Sequence, residues 1–195
     1  YRLKTGQGSI PERDNTDDNI YNTCTVYSPK DIPGKITFKV GAISASGLYF
    51  PQLRLIKESE TLTGGKTMSY FDTEFARIGL GICYDARFPE LASIYARQGA
   101  FNLTTGPLHW ELLQRSRAID NQIYFSMCSP ARDLTAGYHA WGHSMVVDPM
   151  GKVLAEAQDG EEIIYTDIDP TTFEETRKGI PVTTQHASMS TPTCP

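Results

Sequence analysis

Residues 78–90 read Ile78-Gly79-Leu80-Gly81-Ile82-Cys83-Tyr84-Asp85-Ala86-Arg87-Phe88-Pro89-Glu90. The stretch from Ile78 to Cys83 carries no charge and suits a strand buried on both faces. Pro89 fits the first turn of a helix, and Glu90 suits its positive end. A strand that stops at a cysteine, turns and starts a helix presents the turn residue at the carboxyl edge of a sheet, where α/β proteins bind ligands. Backbone N–H groups after such a residue can face the same place and stabilise an oxyanion. Gly79 and Gly81 allow close approach of neighbouring backbone or of a substrate. Cys83 therefore has the setting of a thiolate nucleophile. A small buried structural thiol fits the same position, and on the residues alone both readings stand.

A nucleophilic thiol needs a proton acceptor. The chain has four histidines, His109, His139, His143 and His186, and no spacing pairs any of them with Cys83. His143 precedes strand-like residues and reads as a core or edge histidine making one hydrogen bond. His109 opens a helix, and His186 lies in a polar tail. The cysteines are Cys24, Cys83, Cys128 and Cys194. They form no CxxC pair and no zinc-type spacing with histidine, so neither a metal site nor a cofactor is expected. Cys24 and Cys128 read as small buried residues and Cys194 as a terminal thiol. The lack of a disulfide pattern points to a reducing compartment: the cytoplasm, with the mitochondrion as the alternative.

The elements that would position Cys83 are those of an α/β protein. Residues 1–18 are polar with Gly6, Gly8 and Pro11, and read as a loop after an extended start. Strands are expected at Ile20–Tyr27, 36–40, Ser69–Asp72 and 77–83, then at 123–127, 144–148, Val153–Glu156 and 163–167. The sequence Asp148-Pro149-Met150-Gly151 joins two of these as a hairpin. A helix is expected from Pro89, with Leu91, Ile94 and Tyr95 as its apolar stripe and Gly99 as its stop. Further helices are expected at 108–118 and 171–178. Residues 41–56 follow neither a two-residue nor a helical period.

With 195 residues, 39% of them hydrophobic, the chain can bury the core of one domain. Its net charge of −5 is spread among mixed signs, which argues against a nucleic-acid partner. No apolar run approaches the roughly 18 residues of a membrane span, and no signal peptide is visible at Tyr1.

The segment from Gly81 to Glu90 resembles the nucleophile motif of the nitrilase superfamily of carbon–nitrogen hydrolases, and within it the omega-amidase branch. The likeness continues through Phe101-Asn102-Leu103-Thr104-Thr105-Gly106-Pro107-Leu108-His109-Trp110-Glu111 and Arg115-Ser116-Arg117-Ala118-Ile119-Asp120-Asn121-Gln122. It takes in Ser129-Pro130-Ala131-Arg132 and Trp141-Gly142-His143-Ser144 and ends near Pro181. Upstream, Gly8-Ser9-Ile10-Pro11-Glu12 and Tyr21-Asn22-Thr23-Cys24 agree as well. Several long motifs in order are far more specific than one short match.

The resemblance implies an α-β-β-α sandwich that pairs through its helices into a homodimer. It implies hydrolysis of a small-molecule amide by a Glu–Lys–Cys triad through a thioester acyl-enzyme, with release of ammonia. The substrates would be short dicarboxylate monoamides such as 2-oxoglutaramate or 2-oxosuccinamate. Cys83 matches the nucleophile. Glu58, 25 residues before it, matches the family's second glutamate. The backbone N–H of Tyr84 would donate to the oxyanion. Arg87 and Arg132 would hold the substrate's free carboxylate by paired, charge-assisted bonds. Their alternative is a structural ion pair, for instance Arg87 with Asp85 or Glu90.

The chain also departs from the family pattern. The family's base glutamate lies before the segment matching Gly8–Pro11, and its lysine loop falls where this chain has only Lys30 between Pro29 and Asp31. Lys30 is outside the lysine motif and takes no such role. A family strand is missing between Ala100 and Phe101, and residues 40–56 are an unmatched insertion. The expected architecture is thus an incomplete sandwich domain over 1–182 with a polar tail over 183–195. A catalytically impaired homologue, or an incomplete chain acting as a binding or assembly partner, is the alternative to an active amidase.

Overall fold

The computed structural model describes residues 4–5, 10–27, 38–41, 63, 69–73, 76–88, 96–98, 101–182 and 185. They form two sheets and two α-helices. In the first sheet β3 (Ile20–Tyr27) is central. It pairs antiparallel with β2 (Ile10–Arg13), β1 (Lys4–Thr5) and β4 (Phe38–Gly41). The eight residues of β3 are rich in β-branched and aromatic side chains, which is why the strand is legible in the sequence. Within residues 1–18, β1 lies in the expected extended start and 14–18 turn as expected, whereas β2 is a strand where a loop was expected. β2 escapes the pattern because it is short and contains Pro11, which an edge strand tolerates; Pro11 faces Asn22 on its one described partner.

The second sheet has the order β10-β9-β8-β7-β6-β5. Its strands are β5 (Ser69–Asp72), β6 (Arg77–Ile82), β7 (Ala96–Gln98), β8 (Phe125–Cys128), β9 (Met145–Val147) and β10 (Val153–Glu156). β6, β7 and β8 run parallel, and the other pairings are antiparallel. β4 touches β6, which brings the two sheets together.

Ala96–Gln98 is a strand, so a helix from Pro89 cannot run on to Gly99; residues 89–95 and 99 lie outside the described set. Residues 163–167 form no strand, and Ile163 and Tyr165 are 75% and 80% exposed. Their β-type residues have no adjacent strand among the described residues, and a strand needs a partner for its hydrogen bonds. Within the insertion at 40–56, Val40 and Gly41 complete β4 opposite Cys24 and Thr23; the remainder lies outside the described residues.

Helix α1 (Gly106–Asn121) follows a polar turn that supplies its cap. Asn102 Oδ1 accepts the N–H groups of Thr104 and Thr105 and the Thr105 hydroxyl, while its carbonyl accepts Gly106 N–H. Pro107 sits in the first turn, and Gln122 ends the helix in the left-handed region at φ 51°. Gly106 packs on Trp141 so closely that a Cβ would overlap the indole. α1 lies on β8 and β9. Trp110, Ala118, Phe125, Met127, Met145 and Val147 form the core between them, with Ala86 and Phe101 from the segments beside β6. Each large side chain fully buried there contributes about 1.5–3 kcal/mol. Gln114 is fully buried on the same face and accepts Met127 N–H at 3.0 Å, tying the helix to β8.

Helix α2 (Pro170–Gly179) starts at Asp169, whose carboxylate accepts Thr171 N–H at 2.9 Å. Its Arg177 donates to the carbonyls of Asn121 and Gln122, and Gln122 Nε2 donates to the Ile180 carbonyl. The hairpin between β9 and β10 turns at Asp148, which accepts Met150 and Lys152 N–H at 2.9 Å each. Gly151 there takes φ 80°. Cys128, expected buried, is exposed because strand alternation turns Phe125 and Met127 into the core and Cys128 away.

Candidate active site

β6 is exposed at Arg77 and fully buried from Gly79 to Ile82. At Cys83 the chain leaves the sheet for a single 3₁₀ turn, Cys83–Arg87. The parallel register aligns Ile82 with Gln98 and Gln98 with Cys128. β6, β7 and β8 therefore end together, and Cys83 and Ser129 both lie at the carboxyl edge. Antiparallel β9 begins there too, with Met145 opposite Met127 and Glu156 of β10 opposite Met145. One edge thus collects Cys83, the 129–132 segment and His143, the geometry in which α/β sheets form ligand sites.

The turn at Cys83 is held at both ends. Asp85 is buried, and its Oδ2 accepts the N–H of Ile82 at 2.9 Å, drawing the turn back onto β6. Phe88 N–H closes onto the Asp85 carbonyl at 3.2 Å. The next two carbonyls receive a guanidinium from α1: Arg117 Nε donates to Ala86 at 3.3 Å and Nη2 to Arg87 at 3.2 Å. Arg117 is only 7% exposed, a burial that a charged group tolerates when its donors are used. Asp85 and Arg117 both lie within the motifs, but their residue types alone do not announce this role. The available signal was a charged residue at position 117 among the inward positions 110, 114 and 118.

Arg87 is half-buried, with its guanidinium 4.5 Å above the Phe101 ring and Nη1 3.3 Å from His109 Nδ1. Phe101 in turn meets Trp110 edge-on at 5.3 Å. Since a guanidinium only donates, a hydrogen bond here needs the Nδ1 lone pair as its acceptor. Arg132 donates to Asp159 at 2.6 Å and to the carbonyls of Ala140 and Trp141, and stacks on Trp141 at 5.1 Å. It thereby fastens the segment after β8 to the loop after β10.

His143 makes the single side-chain hydrogen bond expected of it, from Nδ1 to Glu156 at 3.1 Å, and stacks on Trp141 at 4.6 Å. β9 lies three strands from β6, on the order of 14 Å at ordinary strand spacing. A general base must come within about 3 Å of the thiol or act through one water. Among the described contacts, His143 Nδ1 is engaged by Glu156 and His109 Nδ1 by Arg87. Glu58 lies outside the described residues, as do the side chains of Cys83 and Tyr84; the backbone of both residues begins the turn.

A cysteine turn at the carboxyl edge of a sheet is a place where α/β proteins form ligand sites, and the comparisons specify the family. The family model described as carbon-nitrogen hydrolase matches residues 6–178, so the chain belongs to the carbon–nitrogen hydrolase family, within the nitrilase superfamily. It is similar to omega-amidase NIT3 of Saccharomyces cerevisiae, 48% identical over 91% of this chain and 63% of that one. It is likewise similar to omega-amidase NIT2 of Homo sapiens, 51% identical over 93% of this chain and 67% of that one. The crystal structure of Saccharomyces cerevisiae Nit3, a member of branch 10 of the nitrilase superfamily, matches with a TM-score of 0.81 and 46% identity over 94% of this chain and 65% of that one. The C. elegans NitFhit structure matches with a TM-score of 0.79, covering 45% of that chain. The fold is that of the carbon–nitrogen hydrolases, as the motifs implied. The chain spans about two thirds of the length of these omega-amidases.

Proposed function

We propose that this chain hydrolyses small-molecule amides by acyl transfer to Cys83. The Cys83 thiolate attacks the amide carbonyl, and the resulting oxyanion takes a hydrogen bond from Tyr84 N–H. The intermediate collapses, the amide nitrogen leaves as ammonia after gaining a proton, and a thioester remains on the sulfur. Water then adds to the thioester and releases the carboxylic acid and the thiol. Glu58 acts as the carboxylate that supports the site, by its match to the family's second glutamate. The single observation that carries this reading is the pinned turn at the sheet's carboxyl edge that begins at Cys83. Identities of 48–51% to omega-amidases support it.

The substrates are short dicarboxylate monoamides such as 2-oxoglutaramate or 2-oxosuccinamate, whose free carboxylate needs a cation. Arg87, two residues beyond Asp85 on the same turn, serves that carboxylate, and Arg132 does so from the neighbouring segment while bracing Asp159. The protein works as a cytoplasmic homodimer; among the described residues no helix is long and apolar enough to cross a membrane. Ammonia release from 2-oxoglutaramate, compared between the wild type and Cys83→Ala, tests the reaction. Release that depends on Cys83 supports it, and equal release by both proteins refutes it.

A further inference from the structure

Among the described residues, Arg117 is a buried cation that the proposed chemistry leaves unused. It projects from the inward face of α1, 34 residues after Cys83 in the sequence, yet its donors reach the turn that Cys83 begins. A 3₁₀ helix leaves its last carbonyls without partners of their own. In this turn the Asp85 carbonyl is taken by Phe88 N–H, and those of Ala86 and Arg87 are taken by Arg117. The third contact of the guanidinium, to Asp120 at 3.5 Å, is longer and lies towards solvent. The other end of the turn is fixed by Asp85 on Ile82 N–H. Between these two anchors lie the backbones of Cys83 and Tyr84, including the N–H assigned to the oxyanion.

We infer that Arg117 is a positioning residue for the reaction: by clamping the exit of the turn it sets the direction of Tyr84 N–H relative to the Cys83 sulfur. An oxyanion donor acts only when it is aimed where charge develops, before the reaction starts. Arg117 ties the Ala86 and Arg87 carbonyls to α1, and a turn loosened there shifts the Tyr84 N–H that it carries. Lysine cannot replace arginine here, because one ammonium on a flexible stem does not reproduce a planar fork directed at two adjacent carbonyls. The inference rests on the amide-hydrolase reading for its purpose but not for its test.

The test uses two reagents on Cys83 in the full chain, both read by mass spectrometry of the Cys83 peptide. p-Nitrophenyl acetate acylates through a tetrahedral oxyanion; iodoacetamide alkylates by direct displacement and forms none. In Arg117→Lys, acylation is expected to slow by at least about tenfold, the scale of a misaligned oxyanion donor, with alkylation within about twofold of wild type. Equal acylation in the two proteins, or a parallel change in both reactions, overturns the inference. A general loosening of the fold gives that parallel change. A second readout needs no variant: the Arg117 Nε–H resonance of the wild type should shift when Cys83 is acetylated, and an unmoved resonance also overturns the inference. Loss of acylation in Arg117→Lys alongside a wild type inert towards amides would refute the amidase reading and leave the role of Arg117 standing.

Discussion

The carboxylate of Asp85 accepts the backbone N–H of Ile82 at 2.9 Å, so the turn that begins at Cys83 is fastened to the strand that ends one residue earlier. Both groups are buried. Removing the acceptor strands a donor in the interior, which costs about 1–3 kcal/mol. Asp85→Ala is therefore expected to lose that much stability in urea denaturation, and its Cys83 acylation should fall as well. Asp85→Asn keeps one acceptor oxygen and should lose less. An Asp85→Ala protein as stable as wild type would show that the bond does not hold the turn.

Arg87 presents its guanidinium between Phe101 and His109. If it binds the substrate's free carboxylate, Arg87→Ala forfeits a charge-assisted bond of about 1.5–3 kcal/mol. That corresponds to a roughly 10- to 150-fold loss in kcat/KM. The loss should appear with 2-oxoglutaramate and be small with an uncharged amide of similar length. An equal loss with both amides would make Arg87 a structural residue.

Much of this site was legible because it is local in sequence. The uncharged run ending at Cys83 announces a buried strand and a turn, and β3, β5 and β10 have the bounds their residue types suggest. The elements that escaped depend on partners far along the chain. Arg117 finds Ala86 across 31 residues and Gln114 finds Met127 on another element. Ala96–Gln98 becomes a strand because β6 and β8 flank it. Residues 163–167 show the converse, since their strand-like composition meets no neighbouring strand among the described residues. Periodicity and residue type report a segment's preference, while a ladder or a buried ion pair needs the other half.

Asp72 and Arg77 pair across the β5–β6 ladder, Nε to Oδ1 at 2.7 Å. The hydrogen bond from Arg77 holds the Asp72 carboxyl below the usual aspartate range. A carboxyl lowered by folding adds stability above its unfolded pKa and loses it as pH falls through the folded value. The protection of β5 and early β6 amides, taken against the intrinsic exchange rate at each pH, should therefore fall on acidification through and below the ordinary aspartate range. Asp72→Asn should show a smaller acid-dependent change. Identical pH profiles for the two proteins would show that the pair does not steady this edge.

Gly142 lies between Trp141 and His143 at φ 79°, and a Cβ there would sit 2.7 Å from the Asp159 backbone. Gly142→Ala combines left-handed strain with overpacking, together about 1–3 kcal/mol. It should also displace Asp159 from Arg132, which it meets at 2.6 Å. Urea denaturation gives the stability, and a stable Gly142→Ala protein would contradict this account of the loop.

In the proposed reaction Cys83 carries the acyl group. The covalent intermediate reports on the Cys83 sulfur itself and is therefore a more direct readout than steady-state rate. The decisive measurement is acid-quenched mass spectrometry after incubation with 2-oxoglutaramate. The expected result is a peptide containing Cys83 heavier by the mass of the substrate less ammonia, with no such adduct and no ammonia release in Cys83→Ala. Ammonia released equally by Cys83→Ala, with the Cys83 peptide of the wild type unmodified at every time point, would contradict the account.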